Sequence, residues 1–344
     1  HYMKNRLAAP IIHFYIPPCF WPEEMPTSSN ENWAGFGLGI YAWTLQTYLR
    51  LKESGLACEL SHRLPDQGIV LFHSNALRGN PIEPGPARLL ICIKAESPLC
   101  SIAQLHIVQN PGEANPKLGL HFIPHWSQPG LLPRAAERNE RFETVAFFGH
   151  QSSLAQRFRS PQWAKQLAEL DLQWNPIVNT NPWNSYHTLD NQWHDYRNVD
   201  VIVALRRLHS WRMRDRNKPA TKLYNAWLAG VPAILGKEVA YRRTGRTGIS
   251  YLEANSEAEV LTALTQLKAS SALRQSLVKA GNIQSIAYQP ASITQRWQRF
   301  LRTVAVPAYD RWCHLNQTQQ RVSVMTSRVT SLCDRTLRRV TKLI

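Results

Sequence analysis

Between residues 145 and 280, short apolar runs alternate with amphipathic stretches, and that alternation restricts the fold more than any other feature of the chain. Residues 145–148, 172–178, 199–205 and 233–235 read as strands. Ser160 and Pro161 cap and open a helix running through Leu170. Ser256 and Glu259 form a capping box ahead of Val260, Leu261, Leu264 and Leu267, and residues 271–280 read as a further helix closed by Gly281. A strand–helix–strand repeat of this kind demands parallel strands joined by right-handed crossovers.

The first half carries the same alternation less regularly. Residues 11–16 read as a first strand. The glycine-rich turn WAGFGLG, with Trp33, Gly35 and Gly37, then precedes a helical stretch that places Leu38, Tyr41, Ala42, Leu45 and Leu49 on one face and stops at Gly55. Further apolar runs fall at 69–72, 89–93, 107–108 and 120–123, and residues 97–104 read as helical. From 124 to 141 the chain turns to PHWSQPGLLPRAAERNER, rich in proline and without periodicity. At 344 residues the chain exceeds what one hydrophobic core serves, so two α/β domains are expected. The boundaries fall to give 1–135, 136–300 and a helical extension at 301–344.

The segment NKPATKLYNAWLAGVPAILG, 217–236, concentrates the chemistry. Ala220, Leu223, Tyr224, Trp227 and Leu228 form one apolar stripe, with Thr221, Lys222 and Asn225 on the adjoining face. Pro219 suits the first helical turn and Gly230 the residue just past the end. A helix start offers unpaired N–H groups and the positive end of the dipole, and Lys218 and Lys222 add full charges there. The preceding strand leads into ALRRLHSWRMRDRNK, where Arg206, Arg207, Arg212, Arg214, Arg216 and Lys218 face only Asp215. In an open α/β sheet, ligands bind at the carboxyl ends of strands, and these cations gather at such an end. A diphosphate is the ligand they fit. With 40 Lys and Arg against 24 Asp and Glu, the whole chain favours phosphate-rich partners.

These motifs resemble the donor-binding domain of GT-B glycosyltransferases, in particular the retaining group similar to glycogen synthase and sucrose synthase. WAGFGLG resembles that family's acceptor-side glycine loop, His73 in VLFHSN its histidine near the donor sugar, FIPHW its lead into the linker, and VAFFGH the first strand of its donor domain. The resemblance implies two Rossmann-like domains with parallel sheets and a nucleotide-sugar as substrate, with no separate cofactor and no metal. No D-x-D tripeptide, the usual metal-holding motif of single-lobed transferases, occurs in the chain. It implies His73 and Asn217 as catalytic residues, Arg206, Arg207, Lys218, Thr221, Lys222 and Asn225 as donor-binding residues, and Trp33, Gly35 and Gly37 on the acceptor side. The family usually places two glutamates eight positions apart around this helix, where Asn217 and Asn225 stand here. Its usual Arg and Lys after the first donor-domain strand are missing too. GHQSSLAQRF offers His150 and Arg157, so Arg206 or Arg207 with Lys222 is expected to neutralise the phosphates.

The expected activity is transfer of a sugar from a nucleotide-diphosphate donor to a lipid-linked or polysaccharide acceptor, with retention of configuration. The residues leave open a nucleotide-sugar epimerase on the same fold and a non-catalytic scaffold binding anions or nucleic acid, although no nucleic-acid-binding motif stands out. Lys94 and Glu96, in ICIKAES, read as an exposed ion pair. The six cysteines form no C-x-x-C pair and sit in apolar contexts, as buried reduced thiols would, and no signal sequence or apolar stretch of 18 residues occurs. A cytoplasmic protein is expected, peripheral to the inner face of a membrane if its tail binds one. From Arg296 onward the chain holds nine Arg and one Lys against Asp310 and Asp334, with Val322, Met325, Val329, Leu332, Leu337, Val340 and Ile344 at helical spacing. A basic amphipathic helix is expected there, lying on an anionic lipid surface or packed against protein.

Overall fold

In the computed structural model, residues 9–79, 81–179, 192–209 and 216–343 are described. Arg212, Arg214 and Asp215, and the side chains of Val340 and Ile344, lie outside that set.

The first lobe is an open sheet. Its elements are β1 (Ile12–Tyr15), α1 (Gln46–Glu53), β2 (Glu59–Ser61), β3 (Gln67–His73), β4 (Ala87–Ile93), β5 (Leu105–Val108) and β6 (Leu120–Phe122). Six strands run in the order β2-β1-β3-β4-β5-β6, every pairing parallel. Ile69 and Leu71 point to one face while Val70 and Phe72 point to the other, and both faces are covered, which is why these strands read as continuous apolar runs.

The second lobe contains β7 (Thr144–His150), α2 (Pro161–Ala168), β8 (Gln173–Asn179), β9 (Val201–Ala204), α3 (Thr221–Ala229), β10 (Ala233–Leu235), α4 (Val239–Thr244), β11 (Leu252–Glu253), α5 (Glu257–Ala269) and α6 (Ser271–Ser285). Its sheet order is β11-β10-β9-β7-β8, again all parallel. Ser160 Oγ accepts from Trp163 N at the start of α2, and Ser256 Oγ accepts from Glu259 N at the start of α5. Glu259 reaches back to the N–H of Asn255, one residue before the one a standard box would satisfy.

Three local expectations are corrected. Residues 97–104 are turns, not helix: the N–H of Leu99 is taken by Asp334 and that of Cys100 by His106. Gly281 does not close α6, which runs on to Ser285. It lies where the buried Trp227 ring crosses, and an added Cβ would stand 2.5 Å from Trp227 Cδ1. The thiols are not uniformly buried, since Cys19 and Cys333 are exposed.

Gly281→Ala is expected to lower stability by about 1–2 kcal/mol. Overpacking against a ring fixed by its Nε1 bond to Ser250 O outweighs the gain of about 1 kcal/mol from replacing a helical glycine. Chemical denaturation of the variant checks this, and a stabilised protein would contradict the packing argument.

The chain then leaves the second lobe and returns. Helix α7 (Pro290–Phe300) and α8 (Val306–His314) are joined by a wide π turn over Leu301–Ala305. Pro307 has no N–H to give to the preceding turn, which accounts for the irregularity there. Trp297, Phe300, Leu301 and Trp312 fill the core beside β1, β3 and β4, and Trp312 Nε1 donates to Gly85 O at 2.8 Å. Helix α9 (Gln317–Leu343) follows along the same lobe.

Candidate functional site

The carboxyl ends of strands from both sheets open onto one cleft of about 990 Å³ between the lobes. The size suits a ligand larger than a single nucleoside. The first lobe contributes Gly37, Gly39, His73 and Glu96, and the second Gly149, His150, Arg206, Lys218, Thr221, Lys222 and Asn225.

Helix α3 supplies the centre of the site. It starts at Thr221 with Ala220 as cap and, among the described residues, no side-chain cap bond. The carbonyls of Asn217 and Lys218 accept from Gln109 Nε2 and Asn110 Nδ2 of the opposite lobe at 2.9 and 3.1 Å. Those carbonyls are therefore diverted from the helix, and Pro219 precedes the cap instead of lying in the first turn. The result is an uncapped helix start facing a cleft, the arrangement that attracts anions. At the other end Gly230 adopts φ 70°, closing the helix as expected.

Lys222 is half-buried in this cleft, its Nζ 5.5 Å from the centre of the Phe147 ring. Burial, reinforced by the Arg206 charge, lowers its pKa to about 7. Arg206 sits beyond the end of β9 and pairs with the buried Glu238 at 3.1 Å. Gly149 ends the apolar core of β7 with φ 146°, and a Cβ there would stand 3.3 Å from Lys222 Nζ. Only glycine serves both the backbone angle and the space that Lys222 occupies. His150 follows, its pKa lowered to about 4 by burial and then by Lys222, with no hydrogen-bond partner for Nδ1 among the described residues.

Across the cleft, His73 is buried and its Nδ1 accepts from Asn75 N at 3.1 Å. That bond assigns the ring proton to Nε2, which has no partner among the described residues and points where a Cβ on Gly39 would meet it at 2.9 Å. Burial above all, then His125, lowers the His73 pKa to about 3. The ring is thus a neutral hydrogen-bond donor and not a base near neutral pH.

The structure separates the expected site residues into those that meet and those that do not. His73, Gly37, Arg206, Lys218, Thr221, Lys222 and Asn225 line the cleft. Arg207 is exposed and does not, because consecutive residues leaving a strand point to opposite sides. Asn217 does not line it either: its Nδ2 donates to Glu96 O at 2.5 Å, tying the two lobes. Trp33 folds back over Gly35 and packs edge-on against Phe36 and Tyr41, so both hold the turn that presents Gly37. Asn225 Oδ1 accepts from Gln128 N at 3.0 Å, leaving its amide N–H groups for the cleft. Arg157 pairs with Glu257 away from the cleft.

Lys94 and Glu96 are not a pair. Lys94 is buried and bonds Glu113 at 2.8 Å, whereas Glu96 reaches across the cleft to Lys218. No spacing in the sequence joins residues 96 and 218. The requirement for Gly149 was, by contrast, visible as a glycine directly after an apolar strand.

No known protein family and no curated protein matches this chain. Among solved structures it is similar to Alr3699/HepE of Anabaena in complex with UDP-glucose, at 11% identity over 86% of this chain and 100% of that one, with a TM-score of 0.50. It is also similar to AviGT4, a glycosyltransferase involved in avilamycin A biosynthesis, at 12% identity over 88% and 98% of the two chains and a TM-score of 0.50. The chain has the GT-B fold. In this GT-B protein the cation-bearing helix start belongs to the second lobe and the histidine donor to the first, with the cleft between them.

Proposed function

We propose that this protein is a glycosyltransferase that carries a sugar from a nucleoside-diphosphate donor to an acceptor bound across the interlobe cleft. The observation that carries the reading is Lys222, a half-buried cation lining the cleft at the uncapped start of α3 with Arg206 beside it. Desolvation and the charges of Arg206 and Lys218, offset in part by Glu238 and Glu96, disfavour the charged form of Lys222, and an anion bound beside it restores that charge.

Function follows from where charge develops. As the bond from the sugar to the nucleotide breaks, negative charge grows on the departing diphosphate. Lys222, Arg206 and the α3 N–H groups stabilise that state more than the bound donor. Lys218 joins them once the diphosphate competes Glu96 away. These groups supply the positive charge a divalent ion would otherwise bring, so the reading includes no metal. His73 Nε2 donates to a sugar hydroxyl, and the Asn225 amide donates to the ribose hydroxyls. Neither Asn217 nor Asn225 has a charge to offer the sugar ring, so retention of configuration rests on the leaving diphosphate receiving the acceptor proton. The acceptor is a lipid-linked or polymeric sugar on the cytoplasmic side.

The test is a thermal-shift panel of UDP-, GDP-, ADP- and CDP-sugars, followed by assay of free nucleoside diphosphate with and without acceptor. A donor that raises the unfolding midpoint, with nucleotide release dependent on acceptor, is the expected result. Acceptor-independent conversion of the donor would assign an epimerase instead, and a panel in which no nucleotide binds would end the transferase reading.

A further inference from the structure

Helix α9 is docked on the first lobe by its polar side. Gln320 donates to Pro86 O and Trp312 O at 3.0 and 2.9 Å, and the buried Ser331 donates to Leu99 O at 2.7 Å. Asp334 accepts from Leu99 N at 3.0 Å, and Arg338 reaches Glu113 at 3.2 Å. A helix held this way turns its other side outward. Val322, Met325, Val329 and Leu332 are there, 57–64% exposed, at spacings of three and four that form one stripe. The sequence reading offered lipid or protein as the cover for this helix; the structure divides it, with protein on the polar side and nothing described on the apolar one.

We propose that this outward stripe is an anionic lipid-docking surface. The charge beside it selects that occupant. Arg321, Arg328 and Arg335, seven residues apart, and Arg339 form an exposed row along one edge of the stripe. Between Gln317 and Arg339 the only acidic residue is Asp334, and it is turned inward onto Leu99 and Arg338. The outward face of the helix is therefore apolar and cationic, with no acidic residue of its own beside the stripe, which matches the boundary between acyl chains and anionic headgroups. The stripe from Val322 to Leu332 spans about 15 Å of helix, and no described helix is long and apolar enough to cross a membrane, so the helix lies in the interface plane. Arg338 also touches Glu96 O, so the C-terminal part of the helix abuts the loop that borders the cleft. A docked molecule would hold that rim near the lipid surface. The inference rests on α9 alone and stands whether or not the cleft transfers sugar.

The experiment is flotation of the full chain with phosphatidylcholine vesicles and with vesicles containing about one-third phosphatidylglycerol, at near-physiological salt. Two variants separate the contributions: Met325→Ser with Leu332→Ser removes apolar surface at constant charge, and Arg321→Gln with Arg328→Gln removes charge at constant apolar surface. All four positions are exposed, so unfolding midpoints should stay at the parent value. The expected result is recovery of the parent protein with the anionic vesicles, and about a tenfold weaker partition for each variant. Equal recovery of parent and serine variant would mean that the net charge of +16 binds lipid without the stripe, and would overturn the proposal. Failure of the parent to float would overturn it as well, as would a dimer in sedimentation that the serine changes dissociate, which would assign the face to a second copy.

Discussion

Lys222→Ala should weaken binding of a nucleoside diphosphate about a hundredfold while leaving the unfolding midpoint unchanged or slightly higher. The two halves of this expectation share one cause. The ammonium group is half-buried beside Arg206, and desolvation together with that neighbouring charge lowers its pKa and disfavours its charged form. Removing it relieves that penalty. A diphosphate reverses the balance by supplying further counter-charge, and a charge-assisted contact of this kind contributes about 3 kcal/mol, or about a hundredfold in affinity. The sign with pH follows. Above about pH 7 the free protein's lysine is increasingly neutral and must take up a proton to bind the anion. Affinity therefore falls as pH rises from 7 to 9, by up to about one decade per unit, and this slope disappears in the alanine variant. Calorimetric titration at several pH values reads both effects. Normal affinity in the variant would remove the diphosphate assignment.

Asp200→Ala should produce the largest loss of stability, about 3–5 kcal/mol, or a fall of roughly 6–15 °C in the unfolding midpoint. This carboxylate, 2% exposed, lies just before β9, at the amino-terminal end of the central strand of the second sheet and outside the cleft lining. It accepts from Arg134 Nε at 3.0 Å, from Arg138 Nε at 2.8 Å, and from the N–H groups of Glu143 and Thr144 at 2.9 Å each. Burial alone would push its pKa up, but the bonds from Arg138, Glu143 and Thr144 hold it below the ordinary carboxylate range. A depressed carboxylate stabilises fully above its unfolded pKa near 4, and that contribution is lost as pH falls through the lower folded value. The alanine variant should therefore lose most stability at neutral pH and differ least from the parent in strong acid. A midpoint within about 1 °C of the parent at pH 7 would show that the arginines find other partners.

Local chemistry explains which parts of this molecule could be read from its sequence. The parallel strands, the Ser160 and Ser256 caps and the Gly230 terminus depend on neighbours a few residues away, and the pattern carries them directly. Helix α3 and its lysines were legible for the same reason. What the pattern lacks is direction. Whether Arg206 or Arg207 enters the cleft depends on how β9 is turned, and whether the α9 stripe faces protein or solvent depends on residues more than two hundred positions earlier. The 97–104 segment has apolar spacing compatible with a helix, yet His106 and Asp334 claim its N–H groups. Glu96 and Lys218 meet only because two sheets close on each other, with Gln109 and Asn110 setting where α3 begins.

The return of α7 and α8 has a consequence for how the molecule is made. On a ribosome the first sheet emerges early, but Trp297, Phe300 and Trp312, which pack on one of its faces, are made only after the second lobe. Until they arrive that face is covered in part by Trp43, Leu51 and Trp126 of its own lobe, and the nascent first lobe waits incomplete while the entire second lobe is synthesised and free to fold ahead of it.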